Sequence, residues 1–306
     1  MGQLRSGLGE ELIRVEASNL QRAGTGARTG AMRGFKPERI FLDGVLLLLS
    51  FLMLTPFLWI FSTSLRLPKD SFSLPPAIFP TAWHIGNYAE VFAKVPFFDF
   101  ISNSLKICLI IVLGHIFISS MAAFAFSRIA FPGRNALFLI FLSGLMIPGQ
   151  VTIIPQFILM SKLGLVDTHL ALILPGLINP FGIFMIRQTM MSISSTYDEA
   201  AYMDGASRIW VFLKVILPMS YPAVAVTSVI SFIGHWNDFF RPLIFLNSFE
   251  KMTLPIGMTA LSGAFGTGNL SAILAGVTLS LVVPLLFYLF GQKYLLDGIT
   301  AGGLKM

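Results

Sequence analysis

Six long apolar runs divide this chain of 306 residues and limit what it can fold into. A helix needs about 20 apolar residues to cross a bilayer, and each run reaches that length. The expected runs are 40–64, 100–126, 136–160, 170–191, 222–246 and 270–295. Only 12% of the residues are charged, whereas soluble domains carry about 25%. We therefore predict an all-α membrane protein with six transmembrane helices.

Basic residues concentrate on one of the two sides that six spans define. The N-terminal tail, the loops after the second and fourth spans and the C-terminal end carry most of the arginines and lysines, including Arg128 and Lys214. Cytoplasmic loops carry an excess of such residues, so both termini and the fourth loop are expected in the cytoplasm. The net charge of +6 then reflects orientation in a cell membrane, and no basic and aromatic surface indicates a nucleic-acid partner.

Two regions are expected along the chain, a polar tail at 1–38 and a six-span domain at 39–306. The tail carries several arginines but lacks the apolar core of a cleavable signal peptide. It is expected to be a cytoplasmic extension, and its role cannot be inferred from the sequence.

Residue types that carry catalysis or hold metal ions are sparse and scattered. The single cysteine, Cys108, lies inside an apolar run, and the four histidines show no metal-binding spacing. No GxxxxGK[ST] loop occurs, so the chain is not expected to cradle ATP phosphates itself. We therefore expect no bound cofactor, no metal site and no enzymatic activity in this chain.

The segment at 194–220 is polar and helix-prone, although apolar runs lie on both sides of it. Ser194 and the two hydroxyl residues after it are typical of a helix N-terminus. Asp198 and Glu199 then fall in the first helical turn, where negative charge is favoured. Gly205 permits a left-handed backbone or a bend. The pattern predicts a short helix that is followed by a turn.

A second helical stretch is expected at 207–216 and is predicted to end at Leu217–Pro218, because proline disfavours helix in the residue before it. The apolar residues expected on one face of it are Ile209, Phe212 and Val215 or Ile216. Two interpretations fit a helix–turn–helix element with exposed apolar residues. It docks into a groove of a partner protein, or it rests on lipid headgroups as an amphipathic connector.

The spacing within this segment resembles the EAA motif of the inner-membrane subunits of ATP-binding-cassette importers. That motif reads Glu-Ala-Ala, three residues, Gly, nine residues, Ile-x-Leu-Pro, and it lies between spans four and five. The matching residues are Glu199, Ala200, Ala201, Gly205, Leu217 and Pro218. Val215 stands where the motif has Ile, which is a small change in volume.

The likeness extends over about residues 40–306 and is strongest to carbohydrate-type permeases, in particular the maltose-permease G-like subunits. The tail lies outside it. The stretches that carry the resemblance are Asn103-Ser104-Leu105, Ala123-Phe124-Ala125-Phe126-Ser127-Arg128, Ile147-Pro148-x-Gln150-Val151, Leu163-Gly164-Leu165-x-Asp167-Thr168, Arg187-Gln188, Trp236-Asn237-Asp238-Phe239 and Gly298-x-Thr300-Ala301-Gly302.

The resemblance implies a type I ABC importer permease fold in a bacterial or archaeal inner or plasma membrane. The implied partners are a second homologous permease, two cytoplasmic ATP-binding subunits that hold ATP and Mg, and an extracytoplasmic solute-binding protein. Closure of the ATPases is expected to push the coupling helix, residues 199–218, and to switch the spans between inward- and outward-facing states. The expected ATPase-coupling residues are Glu199, Ala200, Ala201, Asp204, Gly205, Ala206, Leu217 and Pro218.

Two further contacts follow from the resemblance. The last residues, 302–306, are expected to touch an ATPase, and the loop at 247–269 is expected to probe the sugar site of the binding protein.

Polar residues inside or near the apolar runs are candidates for a pathway or gate. His235 to Asp238 form the densest polar cluster in an apolar run, and a carboxylate within a membrane is typical of a functional site. The alternative is a packing cluster in which Arg241 partners Asp238. The candidates are Asn103, Trp236, Asn237 and Asp238. The lone His115 is expected to pack with a hydrogen bond rather than relay protons.

The sequence thus predicts a non-catalytic subunit of an ATP-driven importer for a carbohydrate. Glycerol 3-phosphate or a polyol stays open as the solute. A secondary carrier without an ATPase also stays open, and it would need a buried acid such as Asp238. A membrane scaffold that transports nothing leaves the EAA spacing unexplained. The sequence identifies neither the solute, nor the partner subunits, nor whether this chain contacts the solute.

Overall fold

The computed structural model describes residues 37–71, 79–80, 82–266 and 269–303. Almost all of the predicted tail at 1–38 lies outside this described part, as do residues 304–306 of the predicted ATPase contact. The chain divides into two compact units, Met1–Pro56 and Phe57–Met306. Every regular element in the described part is helical, which confirms the predicted all-α class.

Helix α1 (Pro37–Ser64) is the first apolar element and continues through Pro56. Its large apolar side chains from Phe41 to Leu54 are exposed, as expected of a helix that lipid solvates. In the loop that follows, a 3₁₀ turn (Pro68–Asp70) precedes α2 (Gly86–Lys94). Helix α2 is too short to cross a bilayer, and its residues lie outside the six predicted runs.

The remaining helices follow α2 in the second unit. In chain order they are α3 (Phe97–Arg128), α4 (Arg134–Ser143), α5 (Gly149–Lys162), α6 (Leu170–Gly176), α7 (Pro180–Ser192), α8 (Thr196–Met203), α9 (Arg208–Val211), α10 (Leu217–Met219), α11 (Tyr221–Trp236), α12 (Phe240–Phe245), α13 (Leu254–Phe265) and α14 (Leu270–Gly303). Short 3₁₀ turns lie at Gly144–Met146 and Phe249–Lys251, and a π turn at Phe212–Ile216 joins α9 to α10.

Helix α3 is the centre of the second unit. Its 32 residues span about 48 Å. Asp99 lies in its first turn and Arg128 in its last turn, which suits the helix dipole at both ends. Helix α3 contacts α6, α7, α11 and α13, while α14 packs against α2, α11 and α13. Helix α3 is therefore the frame against which most of the other helices of this unit pack.

Glycines allow the helices around α3 to approach closely. A Cβ at Gly182 in α7 would lie 2.1 Å from Cε1 of His115, and one at Gly257 in α13 would lie 2.1 Å from Cδ2 of Phe100. Small residues at such positions are typical of helix packing within membranes. His115 is fully buried, and its Nδ1 lies 2.9 Å from Ser119 Oγ, in agreement with the predicted hydrogen-bonded packing role.

The helices of two predicted runs, 136–160 and 222–246, each contain a break. The stretches Arg134–Met146 and Gly149–Lys162 meet at 103°. Ile147 is extended there, because Pro148 disfavours helical backbone in the residue before it. The fifth run ends its helix at Trp236 and resumes only in α12. A second bend, of 75°, separates Arg208–Met219 from α11.

Four helices in the described part are long and apolar enough to cross a membrane, or up to six if each bent pair forms one span. The four are Phe41–Ser64, Phe97–Arg128, Leu170–Ser192 and Leu270–Gln292. The third of these joins α6 to α7 across a short break, where Asn179 Oδ1 accepts hydrogen bonds from Phe181 N and Gly182 N and starts α7. The upper count agrees with the predicted six spans.

Candidate functional site

The 194–220 segment forms two helical pieces that a left-handed glycine joins. Asp198 and Glu199 lie in the first turn of α8, as predicted. Gly205 follows with φ of 81°, a conformation that glycine adopts without strain. Ser207 Oγ then accepts a hydrogen bond from Trp210 N at 3.3 Å and caps α9. The predicted helix–turn–helix element is confirmed.

The turn at Gly205 is a Schellman motif. Gly205 N donates to Tyr202 O, and Ala206 N donates to Ala201 O, both at 3.0 Å, which are the two bonds that define the motif. Ala201 and Ala206 are half-buried and pack against the same apolar cluster, as is usual beside such a turn. The glycine and the small residues of the sequence pattern therefore serve one compact turn.

The second helical piece does not stop at Leu217–Pro218 but continues to Met219, which corrects its predicted end. In the π turn Leu217 N–H reaches back to Phe212 O, one residue further than in an α-helix. Proline has no N–H to donate, and its ring crowds the preceding helical turn. The wider turn accommodates Pro218 within the helix.

The buried face of the second piece also differs from the predicted one. Val211, Phe212 and Ile216 are buried, and the Phe212 ring lies 5.1 Å from the Phe124 ring of α3. Ile209 is instead 71% exposed. It precedes Val211, which lies on the buried face, by two residues or about 200° of helical rotation. Ile209 therefore joins the exposed surface.

Arg128, at the end of α3, holds the start of α8. Its Nε lies 3.0 Å from Asp198 Oδ2, and its Nη2 donates to Ile193 O at 2.8 Å. The Arg128 and Asp198 side chains are only 14% and 10% exposed. Burial raises the pKa of Asp198, and the Arg128 cation opposes that rise. Sequence reasoning placed Arg128 in a basic loop and in a stretch of the family resemblance, but it did not predict the ion pair, because the partner lies far along the chain.

A cleft of about 680 Å³ lies beside the Schellman turn. Its lining residues are Tyr197, Ala201, Asp204, Gly205, Ala206, Ser207, Trp210 and Val215. Met203 is 89% exposed and lies next to the lining residue Asp204. A concave surface with aromatic residues and exposed apolar neighbours is suited to contact with another protein.

The eight predicted coupling residues do not all lie in this cleft. Four line it, namely Ala201, Asp204, Gly205 and Ala206. Glu199, Ala200 and Pro218 are exposed outside the lining, and Leu217 is half-buried against the apolar cluster.

A second cavity, of about 310 Å³, lies where the two broken spans come together. Its lining residues are Gly149, Gln150, Ile153, Gly234, His235, Asp238, Phe240 and Arg241. Asp238 Oδ2 lies 3.7 Å from Arg241 Nη1, so the pairing of Asp238 with Arg241 is present. Of the four predicted pathway residues, only Asp238 lines this cavity.

The other three predicted pathway residues lie elsewhere. Asn103 is buried and donates from Nδ2 to Glu250 O at 2.8 Å and to Met252 O at 3.1 Å. Trp236 is buried and stacks on Phe232 at 5.7 Å. Asn237 is exposed, and its side chain bonds back to its own helix. Asn103 and Trp236 thus hold structure in the positions where the sequence indicated a pathway.

Asp167 organises the loops near the Asn103 end of α3, a role that sequence reasoning missed. It adopts φ of 60°, which is uncommon for a residue other than glycine. Its carboxylate accepts from Asn247 N at 2.9 Å, from Ser248 N at 2.8 Å and from Ser248 Oγ, and Lys251 Nζ lies 3.0 Å away. These bonds hold the pKa of Asp167 well below its usual range. The residue stood within the Leu163–Thr168 resemblance, but its partners lie some eighty positions later.

Comparison with known proteins connects these features to a family. Residues 115–296 match the family described as binding-protein-dependent transport system inner membrane component. The chain is 34% identical over 227 residues to the arabinooligosaccharides transport system permease protein AraQ of Halalkalibacterium halodurans, which covers 74% of this chain and 81% of the relative. It is 32% identical over 273 residues to the trehalose/maltose transport system permease protein MalG of Thermococcus litoralis, with coverage of 88% and 97%.

A solved structure is similar over nearly the same range. It is the crystal structure of a bacterial ABC transporter involved in the import of the acidic polysaccharide alginate. One of its chains matches with a TM-score of 0.74 at 25% identity, covering 85% of this chain and 98% of that one. The helical frame is therefore similar to that of a known ABC transporter chain. The chain is a member of the family of binding-protein-dependent transport system inner membrane components, the permease subunits of ABC transporters.

Proposed function

We propose that this chain is a transmembrane subunit of an ATP-driven, binding-protein-dependent importer for an oligosaccharide. The relatives are named as permeases for arabinooligosaccharides, trehalose or maltose, and galactooligosaccharides. One solved neighbour, similar in fold, is described in complex with a periplasmic protein that carries an alginate pentasaccharide. These names support an oligosaccharide as solute and a binding protein as partner.

The observation that carries the proposal is the cleft at the Schellman turn and its link to α3. The cleft offers a surface to a protein partner, and Arg128 ties the element that forms the cleft to α3, the central helix of the second unit. Two ATP-binding subunits hold ATP and Mg, and this chain supplies no catalytic group. When they close they push the 194–220 segment, and the spans alternate with those of a second permease. The basic loops favour a cytoplasmic position for this segment and for both termini.

Reconstitution into liposomes tests the proposal. The chain is inserted with its partner permease and binding protein, either with or without the ATPase subunits, and uptake of labelled arabinotriose, maltose and galactobiose is followed. Uptake is expected only with the ATPases and ATP, and a hydrolysis-deficient ATPase is the matched control. Uptake without any ATPase would identify a secondary carrier and contradict the proposal. Uptake of glycerol 3-phosphate alone would contradict the solute class.

A further inference from the structure

The cavity at the two broken spans has the size of a small-molecule site. Its volume of about 310 Å³ is at the lower end of the range of about 300–1,000 Å³ for such sites, and it suits a ligand as large as a sugar unit. The cavity lies between α5 on one side and α11 with α12 on the other. Both helix breaks contribute to it, at Gly149 and at Asp238. In membrane proteins, broken helices are typical of chain segments that line a cavity or are buried in protein.

The polar groups of the cavity retain capacity for a ligand. Asp238 Oδ2 lies 3.7 Å from Arg241 Nη1, beyond hydrogen-bond distance, and both side chains are about a quarter exposed. Asp238 Oδ1 accepts only a long bond, of 3.4 Å, from Arg241 N. Gln150 is exposed at the start of α5. Partly exposed groups that bond only weakly to each other keep donors and acceptors open to the cavity, where a ligand can bond to them.

His235 lines the same cavity, but its ring nitrogens are directed elsewhere. Its Nδ1 lies 2.7 Å from Ser231 O, and its Nε2 lies 3.0 Å from the Cβ position of Gly176, which does not line the cavity. The charged and amide groups are therefore the bonding groups of the site. A hydroxyl group both donates and accepts, and it can bond to Asp238 while it accepts from Arg241 or Gln150.

The charge of the lining selects against anions. One aspartate and one arginine line the cavity, so its formal charge is zero with a neutral histidine. A phosphate or a uronate would meet the Asp238 carboxylate without a second cation to offset it. A neutral ligand with several hydroxyl groups meets no such repulsion, and Ile153 and the 55% exposed Phe240 offer an apolar face to the C–H groups of a sugar ring.

We propose that Gln150, Asp238 and Arg241 form a subsite for one uncharged sugar unit of the solute in transit. The inference rests on the proposed function and deepens it, because it places part of the solute on this chain. The two broken spans come together to make the subsite. The ion pair within it binds hydroxyl groups and does not favour a charged ligand.

Cysteine labelling in the assembled transporter tests the subsite. Gly234 lines the cavity and is exposed, and no atom lies within 4 Å of its Cβ position, so Gly234→Cys fits without strain. Asn237→Cys is the matched control, since Asn237 is exposed near the same helix end but does not line the cavity. The native Cys108 is buried, and the unmodified complex gives the background rate. The reagent is a small methanethiosulfonate, with arabinotriose, maltotriose or glycerol 3-phosphate as competitor.

The trisaccharide that the complex imports is expected to slow labelling of Gly234→Cys by about fivefold and to leave Asn237→Cys unchanged, while glycerol 3-phosphate slows neither. Asp238→Asn in the Gly234→Cys background is expected to raise the half-protecting sugar concentration about tenfold, because a charged hydrogen bond is lost. Gln150→Ala, at an exposed position that tolerates truncation, is expected to raise it by a smaller factor.

Equal slowing at both cysteines would indicate a conformational change and overturn the subsite. So would a sugar that the complex imports without protecting Gly234→Cys, or glycerol 3-phosphate as the better protector. If the half-protecting sugar concentration is unchanged in both Asp238→Asn and Gln150→Ala, these two residues are not part of the subsite. Import by the unmodified complex is measured separately. If the unmodified complex imports no oligosaccharide, both the proposed function and the subsite are contradicted. If it imports the sugar but the sugar does not protect Gly234→Cys, only the subsite is contradicted.

Discussion

Two carboxylates hold the two ends of the α3 frame in different ways. At the Arg128 end, Asp198 has one cationic partner in a mostly buried place. At the Asn103 end, Asp167 accepts from two backbone N–H groups, a hydroxyl and Lys251, and its side chain is about a quarter exposed. Burial raises the pKa of Asp198, while hydrogen bonds lower that of Asp167. The Arg128 end is therefore tightly packed with few hydrogen bonds, whereas the Asn103 end is held by a network of hydrogen bonds.

This difference indicates which part of the molecule can move. The 194–220 segment meets the rest of the chain through apolar packing and the contacts of Arg128, and it leaves Met203 and Ile209 exposed. Apolar contacts have no strict direction, so such an element can shift as a unit. The loop at 245–252 is fixed by directional bonds to Asp167 and Asn103. A force from the ATPase is expected to act on the 194–220 segment at the Arg128 end of α3. The hydrogen bonds at the Asn103 end are expected to resist movement.

The largest effect is expected from Gly205→Val in the 194–220 segment. A β-branched residue in the left-handed region is strained by about 1–2 kcal/mol, and the Schellman turn is expected to open. ATP-driven uptake should fall about tenfold or more, within the usual range of coupling between sites, while the subunit still inserts. Gly133→Val is the matched control, since Gly133 has φ of 77° and equally open space but lies outside the segment. An equal loss of uptake in Gly205→Val and Gly133→Val would contradict a specific role of the Schellman turn in coupling.

Arg128→Ala should have the next largest effect. It leaves the Asp198 carboxylate mostly buried without its cation, which is expected to lower the free energy of unfolding by about 2 kcal/mol. Arg134→Ala is the control, because Arg134 starts α4 at the other end of the short loop that follows Arg128, and it bonds to Ile129 O but pairs with no carboxylate in the described part. Thermal unfolding of the purified complex measures both. A deficit in Arg134→Ala as large as that in Arg128→Ala would contradict the importance of the ion pair.

The pH dependence of Arg128→Ala sharpens the same point. The folded-state pKa of Asp198 is raised by burial, and loss of Arg128 raises it further. A carboxyl group with a raised folded pKa favours the folded state as pH falls through that pKa. The stability deficit of the variant should therefore shrink as the pH is lowered from neutral towards that raised pKa, measured as the difference in unfolding temperature from the native complex. A constant deficit would mean that packing of Arg128, rather than charge, is lost.

The smallest effect on transport is expected from Asp167→Asn. Amide exchange at Asn247 and Ser248 should rise several-fold, because both N–H groups lose a charged acceptor, while ATP-driven uptake changes little. Asp99→Asn is the control at the same end of α3. Asp167 has a lowered folded pKa, so its contribution to stability is present above its unfolded pKa and is lost only in stronger acid. The difference in unfolding temperature between Asp167→Asn and the native complex is therefore expected to stay constant between pH 7 and pH 5. A marked change of that difference would contradict the contrast with Asp198.

Local patterns of the sequence were sufficient for the apolar runs, the first turn at Asp198 and Glu199, and the left-handed Gly205. Each of these depends on residues within one or two helical turns. The helix breaks within the predicted runs 136–160 and 222–246 were not predicted, because most residues of these runs are apolar. Pro148 and the polar residues after Trp236 carry that information in the sequence.

The contacts that fix the ends of α3 were not predictable in the same way. Asp167 pairs with residues near 247–251, Arg128 with Asp198 and Asn103 with Glu250, all far apart along the chain. Polarity inside an apolar run indicated a pathway for Asn103 and Trp236, although one bonds to a loop and the other stacks in the core. Polarity alone does not separate a side chain that satisfies a buried backbone from one that faces a ligand.

Site-specific cross-linking at Met203 tests most directly whether the ATPase docks at the 194–220 segment. A photoreactive phenylalanine analogue replaces Met203, which is 89% exposed next to the cleft, or Met146, which is 84% exposed at the break before α5. The account predicts cross-links from position 203 to the ATP-binding subunit, with a yield that changes when ATP is bound, and none from position 146. Cross-links to that subunit from position 146 but not from position 203 would contradict it.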